Sequence, residues 1–303
     1  MTVAFLFPGQ GAETARSGPP WLAASPETRR LLEEAARQAG VAFDRLFAAG
    51  GQALEDTALH QPVLTALCLG IRHELARRGV RPDIVAGHSL GEVAACAAAG
   101  CLEPVDAVRL AALRGRLMAR EAARYPGGML AVTTAEPAVA DEALAVARAH
   151  GLAALAAHNS PEQWVVSGEW DALRAVAARF PATPVPVAGP WHTAAMAGAA
   201  EEYRAALRTA LRGPLRVPLA CNRTGALADA AALPDLLADQ LTHPVEWVAV
   251  MRTLGESGVT DVVVVGPGKA LRGLARRNLG ADTRLHAAEL PDDLGRLAEE
   301  LAR

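Results

Sequence analysis

The sequence predicts an α/β protein: a parallel sheet covered by helices, interrupted once by a small subdomain of a different weave. Short, uninterrupted apolar runs at Val3–Phe7, Ile84–Ala86 and Val262–Val265 each meet glycine at their ends, as buried parallel strands. Helical patterns separate those runs, and between Gly127 and Gly189 the texture changes to brief alternating segments. The 303 residues are 51% hydrophobic, which is enough for one large domain with an insert.

The first strand runs into Pro8-Gly9-Gln10-Gly11. Two glycines let the backbone approach a ligand and set Gln10 at the carboxyl end of a strand, where open α/β sheets bind; the alternative is a plain turn with a solvated glutamine. Residues 12–80 are mostly helical in pattern, with starts near Pro26 and Asp56 and ends near Gly40, Gly50-Gly51 and Gly79. Gln61-Pro62-Val63-Leu64 opens the helix that leads to Arg77-Arg78-Gly79.

Ile84, Val85 and Ala86 then run extended into Gly87-His88-Ser89-Leu90-Gly91, and Val93 to Ala99 run helical out of it. A Gly-x-Ser-x-Gly turn in that context holds the serine at the tip of a strained strand-to-helix corner, where only glycine leaves room on either side. Ser89 is expected to be exposed, and the N–H of Leu90, at the positive end of the next helix, to face an oxyanion. That is the chemistry of acyl transfer through an acyl-serine.

Glu103-Pro104 starts another helix, and at about 100° per residue Leu110, Leu113 and Leu117 form an apolar stripe with Arg114 inside it, ~40° from Leu110. Arg109, Arg116 and Arg120 gather on a separate, solvated face. A guanidinium on a buried stripe requires an acceptor. Either Glu121, on the same stripe, or a substrate carboxylate gripped by a two-pronged contact satisfies that requirement.

Met129–Thr134, Leu152–Ala157, Gln163–Ser167 and Thr183–Val187 read as strands, with helices at Pro137–His150 and Trp170–Phe180. The order β-α-β-β-α-β is the ferredoxin-like pattern. The expected domains are therefore 1–127 with 190–303, the large catalytic body, and 128–189, a small subdomain hinged at glycines and lying over the serine corner as a lid. Gly189-Pro190-Trp191-His192-Thr193 follows, before a helix from Ala194 to Leu211. An acyl-serine mechanism needs a base, and His192, between a turn and a helix start, is better placed than His60, His150 or His88. Leu215–Leu219 reads as a further strand.

Several classes are excluded. The formal charge of −3 makes no electrostatic case for nucleic acid or an anionic membrane. Cys68, Cys96, Cys101 and Cys221 show no Cys-x-x-Cys spacing, so neither a metal site nor a disulfide framework is expected. The opening apolar run is too short for a signal peptide, and no run approaches the ~18 residues of a membrane span, so a cytoplasmic protein is expected. Gly266-Pro267-Gly268-Lys269-Ala270 is no phosphate loop: Val263 stands at its first glycine, and no Ser or Thr follows the lysine.

Taken together, Phe7-Pro8-Gly9-Gln10-Gly11, Gln61-Pro62, Gly87-His88-Ser89-Leu90-Gly91-Glu92, Leu113-Arg114-Gly115, Gly127-Gly128-Met129, Asn159-Ser160-Pro161, Gly189-Pro190-Trp191-His192, Pro244-Val245-Glu246-Trp247 and Gly266-Pro267-Gly268-Lys269 resemble, in order and spacing, the malonyl-CoA:acyl-carrier-protein transacylase family. The resemblance implies an α/β-hydrolase-like large domain with the ferredoxin-like insert. It implies Ser89 as nucleophile, His192 as base, Gln10 with the N–H of Leu90 as oxyanion hole, and the backbone carbonyl of Gln240 as the group orienting the histidine. Arg114 would take a malonyl carboxylate, with Gln61, His88, Asn159 and Trp191 around the substrate. The substrates implied are acyl-CoA and an acyl carrier protein, with no cofactor and no metal. Lys269, Arg272, Arg276 and Arg277 are candidates to meet an acidic carrier, or else form a solvated helix face.

The sequence departs from the family where Ala12-Glu13 replaces the usual Ser-Gln and along Arg16-Ser17-Gly18-Pro19-Pro20. Trp191 stands where malonyl-selective members carry phenylalanine, which argues against α-branched acyl groups unless the indole turns away. Glu92 to Met118 also resembles the acyltransferase domains of modular polyketide synthases. A free-standing polyketide acyltransferase with another acyl group, or a hydrolase of acylated carrier proteins, is therefore the alternative to malonyl transfer in fatty-acid synthesis.

Overall fold

The computed structural model describes residues 1–11, 14–47 and 56–302. The helix end expected at Gly50-Gly51 and the Ala12-Glu13 departure lie outside the described residues. The strands are β1 (Val3–Phe7), β2 (Ile84–Gly87), β3 (Gly127–Thr133), β4 (Ala153–Ser160), β5 (Gln163–Glu169), β6 (Ala182–Pro184), β7 (Leu219–Ala220), β8 (Asp261–Val265) and β9 (Arg284–Ala288). The helices of the first half are α1 (Thr14–Ala24), α2 (Pro26–Ala39), α3 (Thr57–Arg77), α4 (Gly91–Ala99) and α5 (Pro104–Arg124). The insert carries α6 (Pro137–Arg148) and α7 (Trp170–Ala177); α8 (Ala197–Ala210), α9 (Leu233–Asp239), α10 (Trp247–Glu256), α11 (Lys269–Asn278) and α12 (Asp293–Leu301) follow.

Local chemistry sets the helix ends. Ser25 caps α2 by accepting from the N–H of Thr28, Pro26 pre-sets its first turn, and Gly40 closes it at φ 68°. Asp56 caps α3 through the N–H of Ala58.

The main sheet runs β7-β2-β1-β8-β9, with every pairing parallel. β1 and β8 are buried along their whole length, as the apolar runs Val3–Phe7 and Val262–Val265 require. The chain leaves β1 toward β2 on one side and later fills β8 on the other, so a crevice opens at the carboxyl end of β1. Gln10, Ser89 and the loop after Val265 all emerge there.

The second sheet is antiparallel, in the order β4-β5-β3-β6. Leu130, Val132 and Val166 pack with Ala143, Ala147, Leu173 and Val176 of α6 and α7 in a separate core. This is the α/β architecture expected, a hydrolase-like parallel sheet with a ferredoxin-like insert. The backbone stitches the two sheets together: the N–H of Val245 donates to Ala156 O (2.9 Å) and the N–H of His158 to Val245 O (3.0 Å).

Two details differ from expectation. The strand expected at Leu215–Leu219 shrinks to β7, because Pro214 and Pro218 have no N–H to give a ladder and the Arg216 N–H bonds Ala99 O instead (2.7 Å). β9, with no apolar run to announce it, is paid for by its polar side chains: Arg284 and His286 reach the buried Asp261 of β8 at 2.8 and 2.9 Å. The glycines at the subdomain boundaries are also closely packed. A Cβ on Gly128 would stand 2.6 Å from the Trp170 ring, and one on Gly189 2.5 Å from the Trp191 ring.

Among the described residues no helix is long and apolar enough to cross a membrane.

Candidate active site

The corner after β2 is built by close backbone contact. A Cβ on Gly87 would lie 2.0 Å from the carbonyl carbon of Gly91, and one on Gly91 would lie 2.1 Å from the Phe7 oxygen of β1. Ser89 is thereby driven to φ 50°. Among the described residues it shares positive φ, outside glycine, with His192 alone (φ 61°). Each such position costs about 1–3 kcal/mol and persists only where its surroundings over-determine it.

Those surroundings are visible. The N–H of Ser89 donates to Asn222 Oδ1 (2.7 Å), and Asn222 Nδ2 donates to Gly87 O (2.6 Å), so one amide clamps both sides of the corner. His192 is held through its ring. Its Nδ1 lies 2.7 Å from the backbone oxygen of Gln240, which can only accept, so Nδ1 carries the proton and Nε2 is bare. Nε2 lies 2.9 Å from Ser89 Oγ, which therefore donates to it. The result is a Ser-His pair oriented by a carbonyl, with no carboxylate as third member among the described residues. Burial first, and the charge of Arg114 second, hold His192 down to about 3, so the imidazole is neutral.

Arg114 is 2% exposed. Its Nη1 donates to Gln61 Oε1 (3.0 Å), and its Nη2 to Gln240 Oε1 (3.0 Å) and Ser89 Oγ (3.1 Å). Glu121, one of the two acceptors the sequence left open, turns instead to Arg120 (2.6 Å) and Arg124 (3.4 Å). Arg114 thus donates to neutral acceptors beside the serine hydroxyl, while Tyr203 and Glu92 act on it through their charge. Burial lowers its pKa.

Ser89 is half-buried rather than fully exposed. Gln10 joins the same wall: its Nε2 donates to Thr57 Oγ1 (2.8 Å) and its Oε1 accepts from Gln61 Nε2 (3.4 Å). Leu90 is the N-cap of α4, and its N–H takes no part in a backbone hydrogen bond among the described residues. His88 and Asn159 pair with each other on the side of the second sheet (Nε2 to Oδ1, 2.8 Å), and the His88 ring meets Trp247 edge-on at 5.1 Å. Asn278 of α11 fixes the backbone oxygen of Asn159 at 2.8 Å. Trp191 stands apart from this set: its indole folds over Gly189 and Ala122 into the main core, only 4% exposed. Lys269, Arg272, Arg276 and Arg277 are all exposed on α11, which starts at the loop after β8.

Sequence reasoning missed Glu92, Asn222 and the side chain of Gln240. Gln240 Nε2 donates to Ser89 O (3.1 Å) and to the Glu92 carboxylate. The other oxygen of Glu92 accepts the N–H of Asn222 at 2.8 Å. Glu92 is fully buried, and burial pushes its pKa up to about 7 against the pull of those donors, of Cys221 and of Arg114. One signal was available: a carboxylate in the otherwise apolar run of α4, where all nine residues are buried. Among the described residues no group of three or more His, Cys, Asp or Glu could hold a metal ion.

The model of the acyl transferase domain matches residues 4–265. Malonyl CoA-acyl carrier protein transacylase of Mycobacterium tuberculosis is 38% identical, the match covering 98% of this chain and 99% of the relative. The crystal structure of a transacylase from that organism superposes with a TM-score of 0.89 at 36% identity, covering 98% of this chain and all of the other. A malonyl-transacylase solved in complex with its type II PKS acyl-carrier protein gives 0.90 at 29% identity, over 99% of this chain and all of that one. Fold, length and sequence agree throughout, and the chain belongs to the malonyl CoA-acyl carrier protein transacylase family.

Proposed function

We propose that this acyltransferase moves a malonyl group from coenzyme A to the phosphopantetheine thiol of an acyl carrier protein, with Ser89 carrying the acyl group between them. His192 Nε2 takes the Ser89 proton as Oγ attacks the thioester carbonyl. The oxyanion is received by the N–H of Leu90 together with Gln10, whose side-chain amide is already engaged by Thr57 and whose backbone N–H serves this role. The carbon–sulfur bond breaks, and the imidazolium returns its proton to the leaving thiolate. The carrier thiol then repeats these steps in reverse. The carbonyl of Gln240 supports the imidazolium, and Arg114, with Gln61 beside it, grips the malonyl carboxylate. His88 and Asn159 form the wall on the insert side, and Trp191, folded into the core, shapes the pocket from behind.

The thioester supplies all the activation needed, so no cofactor is required. A cytoplasmic location fits these substrates. An acidic carrier would dock along the basic face of α11, close to the crevice. The bodies 1–127 with 190–303 and 128–189 act as catalytic platform and cover.

The observation that carries this is the buried guanidinium of Arg114, 3.1 Å from the hydroxyl that also faces His192. It argues for a charged acyl group and against the hydrolase and neutral-acyl alternatives. The test is intact-protein mass after mixing with malonyl-, methylmalonyl-, ethylmalonyl- and acetyl-CoA, for wild type and Ser89→Ala. A malonyl adduct that disappears in Ser89→Ala is expected. An adduct from uncharged acyl groups only would overturn the assignment of Arg114.

A further inference from the structure

Glu92 occupies an unusual place. It sits in the first turn of α4, three residues after Ser89, with no exposed surface. Its two oxygens divide between the two halves of the site. One accepts the backbone N–H of Asn222, the residue that clamps Ser89 and Gly87. The other accepts Nε2 of Gln240, whose Oε1 is thereby turned to Arg114 and whose backbone oxygen holds His192. Arg114 of α5, Cys96 of α4, Cys221 after β7 and Tyr203 of α8 complete the charged and titratable groups around it.

We propose that Glu92 is a positioning residue that sets the amide orientation of Gln240, and through it the readiness of Arg114 to receive a carboxylate, while its other oxygen holds the serine corner. The logic is one of donors and acceptors. A side-chain amide can be reversed and a backbone N–H cannot. A glutamine at position 92 must therefore keep its oxygen on the Asn222 N–H, which turns its NH₂ toward Gln240. Two NH₂ groups would then face each other, so Gln240 reverses, and its own NH₂ confronts Arg114. The Asn222 clamp on the corner survives this change, the lesser bond from Gln240 to Ser89 O is given up, and Arg114 loses its acceptor. Alanine at 92 removes both holds.

The proposal rests on the reading of Arg114 as carboxylate receptor, so its test has one arm that needs no malonyl. Wild type, Glu92→Gln and Glu92→Ala are compared in single-turnover malonyl loading and in the rate of Ser89 labelling by an uncharged fluorophosphonate. In Glu92→Gln, malonyl loading is expected to fall at least about tenfold more than labelling, the scale of an unmade hydrogen bond to a charged group. In Glu92→Ala both rates are expected to fall together. Equal losses in Glu92→Gln, or labelling lost first, would overturn the proposal. A wild type that labels normally yet takes no malonyl would refute the transfer reading instead, and the labelling rates of the two variants would still decide whether Glu92 holds the corner. If Glu92→Gln does not fold, the ratio of malonyl loading to labelling in wild type is followed across about pH 5.5–8.5. A ratio rising with pH supports the assignment, because protonated Glu92 also presents a donor to Gln240, and a flat ratio overturns it.

Discussion

Replacing Arg114 with alanine is the sharpest probe of acyl choice. In the structure the guanidinium donates to Gln61 Oε1, Gln240 Oε1 and Ser89 Oγ, all neutral. A malonyl carboxylate would exchange two such bonds, each about 1.5 kcal/mol because the donor is charged, for two ion-paired ones near the top of that class at about 3 kcal/mol. The difference over the two bonds is about 3 kcal/mol in a site of low dielectric, so malonyl loading should fall about 100-fold. The bond to Ser89 Oγ is lost for every substrate alike and cancels in a ratio. The assay is single-turnover loading of malonyl-CoA against acetyl-CoA, with kcat/KM for each. A malonyl-to-acetyl ratio that stays within about threefold of wild type would refute the carboxylate role. Removal also strands the Gln61 and Gln240 oxygens, so melting temperatures are measured alongside to confirm folding.

The remaining predictions concern pH, folding and the partner. Because burial and then Arg114 hold His192 down to about 3, loading should show no acid limb at the ordinary imidazole value near 6.5, and in Arg114→Ala the limb should move up toward it; stopped-flow loading rates across pH decide. The same depressed value means that the stability neutral His192 contributes is present above about pH 6.5 and is lost as the pH falls toward 3, which melting curves across that window check. Gly87→Ala must drive a Cβ to within 2.0 Å of the Gly91 carbonyl carbon, and should cost about 3 kcal/mol in urea unfolding or prevent folding. Reversing charge at Arg276 and Arg277 should raise KM for the carrier protein, most at low salt, measured against the coenzyme A half-reaction as internal reference.

The parts of the site that were legible in the sequence are the parts whose cause is local. The Gly-x-Ser-x-Gly corner, the strand entering it and the turn before His192 are each fixed by residues a few positions apart. Arg114 was legible as a buried charge, because helical period alone puts it among leucines, but its partners were not. They come from α3, from the corner and from Gln240, as much as 126 residues away in the chain. Asn222 and Glu92 were hidden for the same reason, since their bonds span 130 positions and more. β9 was hidden because its stability lies in a buried aspartate on its neighbour rather than in its own hydrophobicity. The shortened β7 shows the opposite error, apolar letters whose flanking prolines forbid a ladder.

The two backbone bonds between Val245 and β4 bear on how this protein could be recombined with its relatives. A chimaera cut at residues 128 and 189 would look clean along the chain, since the insert enters and leaves there once. It would nonetheless cut across a shared seam, because β4 borrows hydrogen bonds from Val245, which stands five residues after Gln240 and two before Trp247, the ring against His88. The transplantable unit is therefore the insert plus the segment from His243 to Trp247, and a donor in which that segment differs in length would bring its own alignment of the histidine with it.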